Sequence, residues 1–166
     1  EIFEKNQKLS EIADSKNGFT TGNNDLFLRI WNEINYSKIG YSMSNSKEAL
    51  ESKKKWFPYN KGGEFRKWYG NQGYLVNWEN NGYSIKEYAH LVPRSLKYMF
   101  LPNISWSKIS SSSISFRYYP KGFMFDVAGL SMFLQKGISH FYIIGFLNSK
   151  ISHKILTFLV FFIFFF

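Results

Sequence analysis

Six cations crowd one short window of the sequence: Lys53, Lys54, Lys55, Lys61, Arg66 and Lys67, with Glu64 the one acid among them. Trp56, Phe57, Tyr59, Phe65, Trp68 and Tyr69 are interleaved with these charges. Cations at this density neutralise phosphates and release condensed counterions, which gives affinity without sequence information. Aromatic faces stack on unstacked bases for about 1–3 kcal/mol each. The amides of Asn60, Asn71, Gln72 and Asn77 can pair with base edges, adenine above all. The pattern also fits plainer readings. Most Trp and Phe of a small domain are core, and lysine runs are commonly a solvated face. Exposed Trp and Tyr also serve glycan-binding and membrane-surface modules, so that class stands as the alternative.

No catalytic constellation accompanies this window. The sequence has no GxxxxGK phosphate loop followed by Ser or Thr, no GxGxxG after a strand and no GxSxG elbow. The three histidines, His90, His140 and His153, lack metal-like spacing, and no metal site is expected. His140 lies in an apolar run and reads as a satisfied core residue. Asp25, Glu64, Glu79 and Asp126 are scattered carboxylates, and Glu64 with Lys67 is not the acid-x-lysine arrangement of a metal-dependent nuclease. There is no cysteine, which excludes disulfide scaffolds, thiolate metal sites and thiol catalysis, and fits a reducing cytoplasm.

The elements that must position these residues are short. The 166 residues suffice for one core, with 45% hydrophobic and 20% aromatic residues. A formal charge of +9, from 21 Lys+Arg against 12 Asp+Glu, points to an acidic partner, nucleic acid or an anionic surface. An amphipathic segment covers Lys8 to Asp14. Lys16 to Asp25 reads as a loop ending in Asn and Asp caps, and Asp25 to Ile34 as a helix with Leu26, Ile30 and Ile34 on one face. Asn35 to Tyr41 reads as a weak strand and Ser46 to Lys55 as a short helix. Tyr74 to Trp78 alternates as a strand, and Tyr83 to His90 reads as a helix. Pro93 and Pro102 mark irregular chain. Strands are expected at Ile104 to Ile109, Ser115 to Tyr119 and Gly122 to Val127, with Ser110 to Ser113 a loop. Ser139 to Leu147 reads as a buried segment, and a helix restarts at Ser149. The fold class is α+β, with short mixed or antiparallel strands and a few helices.

Residues 1–154 are read as one region and 155–166 as an apolar, Phe-rich tail. At about 12 apolar residues the tail is short of the roughly 20 that span a bilayer, so no stable membrane insertion is expected. It reads as a frameshifted or truncated end, and as an aggregation hazard. The first residue is Glu1, without a signal peptide after it, so the chain reads as cut from something larger.

Three motifs, in order, resemble a known family. They are Gly18 to Trp31 (GFTTGNNDLFLRIW), Lys55 to Gly70 (KWFPYNKGGEFRKWYG) with Val76 to Glu79 after it, and Ile104 to Ile109 followed by Pro120 to Gly129 (PKGFMFDVAG). Together they resemble the target-recognition region of PglX-type adenine-specific DNA methyltransferases of BREX phage-defence systems, relatives of the type IIG restriction–modification enzymes. Gly145 to Lys150 (GFLNSK) resembles a helix start common in specificity domains of adenine methyltransferases. The resemblance runs from about Leu9 to Leu159.

The resemblance implies a parent enzyme in which a Rossmann-like domain binds S-adenosylmethionine and an Asn-Pro-Pro-Tyr motif receives the adenine. This sequence contains neither motif, so the methyltransferase core is absent, no cofactor is expected in this fragment and methylation by it alone is not expected. The implied function is DNA target recognition within a site-specific adenine-N6 methyltransferase. Duplex DNA and other phage-defence components are the implied partners. Lys61, Arg66 and Lys67 are expected on phosphates, beside a Gly62-Gly63 turn that brings backbone close to the duplex. Lys54 and Lys55 join them, Asn60 is expected on a phosphate or base edge, and Thr21 and Asn23 on a loop near the flipped base. Asn80 to Asn103 is the expected specificity stretch.

Overall fold

A computed structural model describes residues 6–90, 95–108 and 113–165. Pro93, Ile109 and most of the serine run at 110–113 lie outside the described residues. Two small four-stranded sheets and short helices make an α+β arrangement with no Rossmann unit.

The first sheet has the order β1 (Ala13–Lys16), β8 (Gly129–Leu134), β5 (Asn103–Ser107), β6 (Arg117–Tyr119), all antiparallel. The second has the order β2 (Leu28–Ile30), β4 (Tyr74–Asn77), β3 (Trp56–Asn60), β7 (Met124–Phe125). Its pairs are antiparallel except β3 with β7, which run parallel. β7 leads through Asp126 to Ala128 into β8, so a three-residue joint links the sheets. All five residues of β3 are buried. Pro58, which has no N–H to give a ladder, is tolerated because β7 pairs only with Tyr59 and Asn60.

Among the described residues the core has three clusters, the smallest being Ile39, Trp56 and Leu75. Phe19, Phe57, Tyr59, Val76, Trp78, Ile85, Phe100 and Phe125 belong to the largest cluster. Ile104, Phe116, Met132, Ile143, Ile144 and Leu147 belong to a second, where helix α5 (His140–Leu147) covers the first sheet. The remaining helices are α1 (Leu9–Ile12), α2 (Asn24–Phe27), α3 (Ser46–Glu51), α4 (Glu79–Ala89) and α6 (Lys150–Phe165). No helix among the described residues is long and apolar enough to cross a membrane.

Several expected elements differ. The helix expected over Asp25 to Ile34 lasts one turn, because Leu28 to Ile30 peel off to pair with β4. Phe27 and Leu28 are the buried residues there, while Leu26, Ile30 and Trp31 are exposed. In place of a strand, Asn35 to Tyr41 holds a 3-10 turn at Tyr36–Lys38 and a single bridge from Ile39 to Trp56. The helix α4 is regular only from Tyr83, since Asn80, Asn81 and Gly82 all adopt positive φ. Ser139 to Leu147 is a helix buried on one side only, with Phe141, Tyr142 and Phe146 exposed. His140 packs against Tyr118, yet its Nε2 is buried without a partner, so it is not the satisfied residue expected. Burial holds its pKa below the ordinary histidine value against a backbone hydrogen bond at Pro102.

Candidate functional site

The run Lys55 to Gly70 divides at Asn60. Before it, Trp56, Phe57 and Tyr59 are core residues of β3. After it, the chain becomes a surface loop on which Phe65, Trp68 and Tyr69 are exposed. The charged, aromatic window is thus half scaffold and half surface.

Where β3 ends, a polar knot ties it to the joint between the sheets. The Asp126 carboxylate, 1% exposed, accepts Lys61 Nζ at 2.7 Å and the Tyr59 hydroxyl at 2.9 Å through Oδ2. Its Oδ1 accepts the Ala128 N–H at 2.8 Å. The Tyr59 hydroxyl also lies 2.6 Å from the Phe19 carbonyl oxygen, so its one proton serves two acceptors. Burial, then the Asp126 charge, pushes the Tyr59 pKa well above the ordinary tyrosine value. Asn60 Nδ2 donates to Ser105 Oγ at 2.7 Å, and its Oδ1 accepts the Gly62 N–H at 3.0 Å.

A buried arginine shapes the loop. Arg117 on β6 is fully enclosed, and among the described residues no carboxylate pairs with it. Its Nη1 donates to the carbonyls of Glu64 at 3.5 Å and Arg66 at 3.4 Å and to Ser115 Oγ at 3.3 Å. Its Nη2 donates to Ser107 Oγ at 2.9 Å, and that hydroxyl donates to the Gly63 carbonyl at 2.6 Å. Trp68 then bonds along β6, its N–H to the Phe116 carbonyl and its carbonyl to the Tyr118 N–H, each at 2.9 Å. Lys67 Nζ donates to the Asn148 carbonyl at 3.1 Å. The loop is therefore held by main-chain bonds, while Arg66, Trp68 and Tyr69 face outward.

The expected contact residues separate by chemistry. Of the three neutral ones, Thr21 and Asn60 are buried and Asn23 is half-buried, and each is engaged in a hydrogen bond within the fold. Asn60 is enclosed with both amide atoms engaged, so it has no edge to offer a duplex. Thr21 is enclosed, and its hydroxyl donates to Asn24 Oδ1 at 2.8 Å. Asn23 caps α2 by accepting the Leu26 N–H at 3.1 Å, and its Nδ2 donates to the Tyr88 hydroxyl at 3.2 Å. Gly62 is buried as well. A Cβ there would meet the Ala128 carbonyl oxygen at 2.7 Å, so the close approach it permits is to its own fold.

The cations reach the surface at two places. Lys61, Arg66 and Lys67 lie beyond the far end of β3. Lys54 and Lys55 lie before its start, about 17 Å away for five residues at roughly 3.3 Å each. There a cleft of about 450 Å³ is lined by Ser37, Lys38, Ser52, Lys53, Lys54, Lys55 and Glu79. Lys54 Nζ donates to the Ser37 carbonyl at 2.6 Å, and Lys55 Nζ lies 3.5 Å from Glu79. Sequence reasoning missed Arg117 and the pairing of Lys61 with Asp126. Arg117 carried no signal beyond being an arginine in a strand, and 65 residues separate Lys61 from Asp126. Of the expected specificity stretch, Asn80–Gly82 form the left-handed turn near the start of α4, ahead of its regular part, and 91–94 lie outside the described residues.

No family model matches the chain. Individual relatives do. An adenine-specific methyltransferase, PglX, of Lacticaseibacillus casei is 42% identical over 159 residues, covering 92% of this chain and 13% of that protein. An adenine-specific methyltransferase, BrxX, of Escherichia coli is 39% identical over 135 residues, covering 79% of this chain and 10% of that protein. The chain therefore spans about an eighth of the length of the first relative. Identity at this level across nearly the whole chain makes it homologous to one segment of the PglX and BrxX adenine-specific methyltransferases.

Proposed function

We propose that this chain is a DNA target-recognition segment of an S-adenosylmethionine-dependent adenine-N6 methyltransferase of a BREX-type phage-defence system. By itself it grips duplex DNA in the cytoplasm and does not methylate it. One observation carries the reading: the loop after β3 presents Arg66, with Lys67 beside it, on a main-chain frame braced from beneath by Arg117. A rigid cationic loop of that kind contacts phosphates with little ordering cost. The lysine cleft at the other end of β3 supplies a second contact, and the two lie within the span of one duplex. The chain, with residues 1–154 as the recognition unit, works with the rest of its parent enzyme and with other defence components.

S-adenosylmethionine belongs to the rest of that enzyme on this reading. In support, neither sheet among the described residues has a parallel strand leading through a glycine-rich loop into a helix, the unit that cradles a nucleotide-like cofactor.

The test is anisotropy of a labelled 20-base-pair duplex titrated with the full chain across a salt series. Affinity should fall with log salt at about −0.9 per phosphate contact, and Arg66→Ala should lower that slope by about 1. Lys61→Ala should change it less, because Asp126 already opposes that charge. A chain that circular dichroism shows to be folded, yet binds no duplex at low salt, overturns the reading.

A further inference from the structure

Beside the loop, floored by Pro58 and Leu75, runs a groove of about 550 Å³ whose lining includes Trp31, Tyr41, Tyr69, Phe123, Gln72 and Lys121. That volume lies in the range of small-ligand sites, roughly 300–1,000 Å³. Trp31 is 56% exposed and Tyr69 65%, although both stand on fixed main chain. The Trp31 N–H donates to the Gly73 carbonyl at 2.9 Å, which closes the Trp31 turn onto the end of the loop that carries Tyr69. Tyr41 is stacked on Tyr36, ring centroids 5.3 Å apart, so the aromatic side of the groove extends beyond its lining.

The polar lining selects among occupants of such rings. No carboxylate lines the groove, and its one charge is the Lys121 ammonium. Gln72 donates its amide to the Tyr118 carbonyl at 3.2 Å, which leaves the amide oxygen as an acceptor. The hydroxyls of Tyr41, Ser42 and Tyr69 also line the groove, but no carboxylate there opposes the Lys121 charge, which favours an occupant carrying an anion over a neutral sugar. A flat, apolar ring with one polar edge and an attached anion matches it: a nucleobase with its phosphate.

We propose that this groove is a stacking site for one unpaired nucleobase of DNA, held on the exposed rings of Trp31 and Tyr69 with Lys121 at its phosphate. It rests on the reading of the chain as a DNA-binding segment and adds to it a preference for DNA in which a base has left the stack. A fully paired duplex cannot fill the groove, because its bases stack on one another.

The test compares a perfect 20-base-pair duplex with the same duplex carrying one unpaired thymine, each titrated with the full chain at fixed salt. The unpaired base should raise affinity by about 5- to 150-fold, the span of base–aromatic stacking. Trp31→Ala should erase that gain while perfect-duplex binding stays within twofold, and Trp31→Phe should restore most of it. Trp31 is exposed, so neither variant removes a core residue. Perfect-duplex binding with no gain from the unpaired thymine, or a gain untouched by Trp31→Ala, overturns the groove and leaves the DNA-binding reading intact. Absence of binding to either duplex overturns both. Quenching of Trp31 by chitotetraose or a decaproline peptide, without any gain from the unpaired base, reassigns the groove and overturns the inference.

Discussion

Replacing Asp126 by Asn tests whether the knot at the end of β3 holds the two sheets together. The side chain is 1% exposed and accepts three donors: Lys61 Nζ, the Tyr59 hydroxyl and the Ala128 N–H. Asn keeps the volume and can still accept at one oxygen, so no cavity forms. The other position becomes an NH2 facing two donors. Removing one partner of a buried ion pair costs about 3–5 kcal/mol. Lys61 is 26% exposed, and its ammonium can swing to water, so the expected loss is about 2–3 kcal/mol. Tyr59→Phe removes one hydroxyl and should cost about 1 kcal/mol. The two groups share Oδ2, so the double variant should fall short of the sum by at least about 0.5 kcal/mol. Urea unfolding of the full chain reads this as a midpoint shift of about 1 M or more at unchanged slope. A loss below about 0.5 kcal/mol for Asp126→Asn, or strict additivity with Tyr59→Phe, would refute the knot as a structural tie.

Gly18→Ala should destabilise by about 3 kcal/mol or prevent folding, since its Cβ would fall 1.8 Å from the Phe125 carbonyl oxygen, a main-chain atom that cannot step aside. Thermal melting checks this. Burial pushes the Tyr119 pKa up to about 12 despite the nearby Arg117. Its folded value is above the unfolded one of about 10, so the stability it contributes is complete below pH 10 and lost as pH rises through 12, about 2 kcal/mol by then. Urea midpoints between pH 9 and 12 should show that loss, diminished in Tyr119→Phe. At the acid end, His140 has a folded pKa below its unfolded value of 6.5. Its contribution is therefore present above pH 6.5 and lost as pH falls through the folded value. His140→Gln should flatten that part of the profile, and an unchanged profile would remove the histidine from the account.

Local patterns were legible where the sequence alone decides them. The alternation at Tyr74 to Trp78, the Asn cap ahead of α2, the short helix from Ser46 and the helix from Tyr83 all form as their spacing implies. The helix expected over Asp25 to Ile34 failed because its apolar spacing fits helix and strand alike, and pairing with β4, more than 40 residues away, decides between them. The strand β8 went unread for the opposite reason. Gly129 to Leu134 has weak strand character alone and is fixed by partners on both sides, β1 and β5. The charged window was found by type and density. Its split into scaffold and surface was not, because Trp56 and Trp68 look alike in sequence and differ only in which side of Asn60 they fall. The internal partners of the neutral candidates Thr21, Asn23 and Asn60 were hidden for a related reason: amides and hydroxyls that suit DNA edges suit caps and turns equally well.

That split also explains how one run of residues serves both a fixed fold and an adaptable surface. Up to Asn60, every side chain is committed: β3 is buried along its length, and Asn60 spends its amide within the fold. Beyond it, the bonds that shape the loop run to main-chain atoms. Arg117 grips the carbonyls of Glu64 and Arg66, Ser107 that of Gly63, and β6 pairs with the backbone of Trp68. None of these bonds depends on which side chains positions 64, 66 and 68 carry. A buried guanidinium without a carboxylate is costly, several kcal/mol for an uncompensated ion, and four neutral acceptors at 2.9–3.5 Å offset only part of it. Its Nε–H is buried with no partner, which adds to that cost, while both Nη groups are spent on the loop and its two serine supports. The arrangement gives up stability for a loop whose path is set from beneath, leaving its outward side chains free to meet a partner.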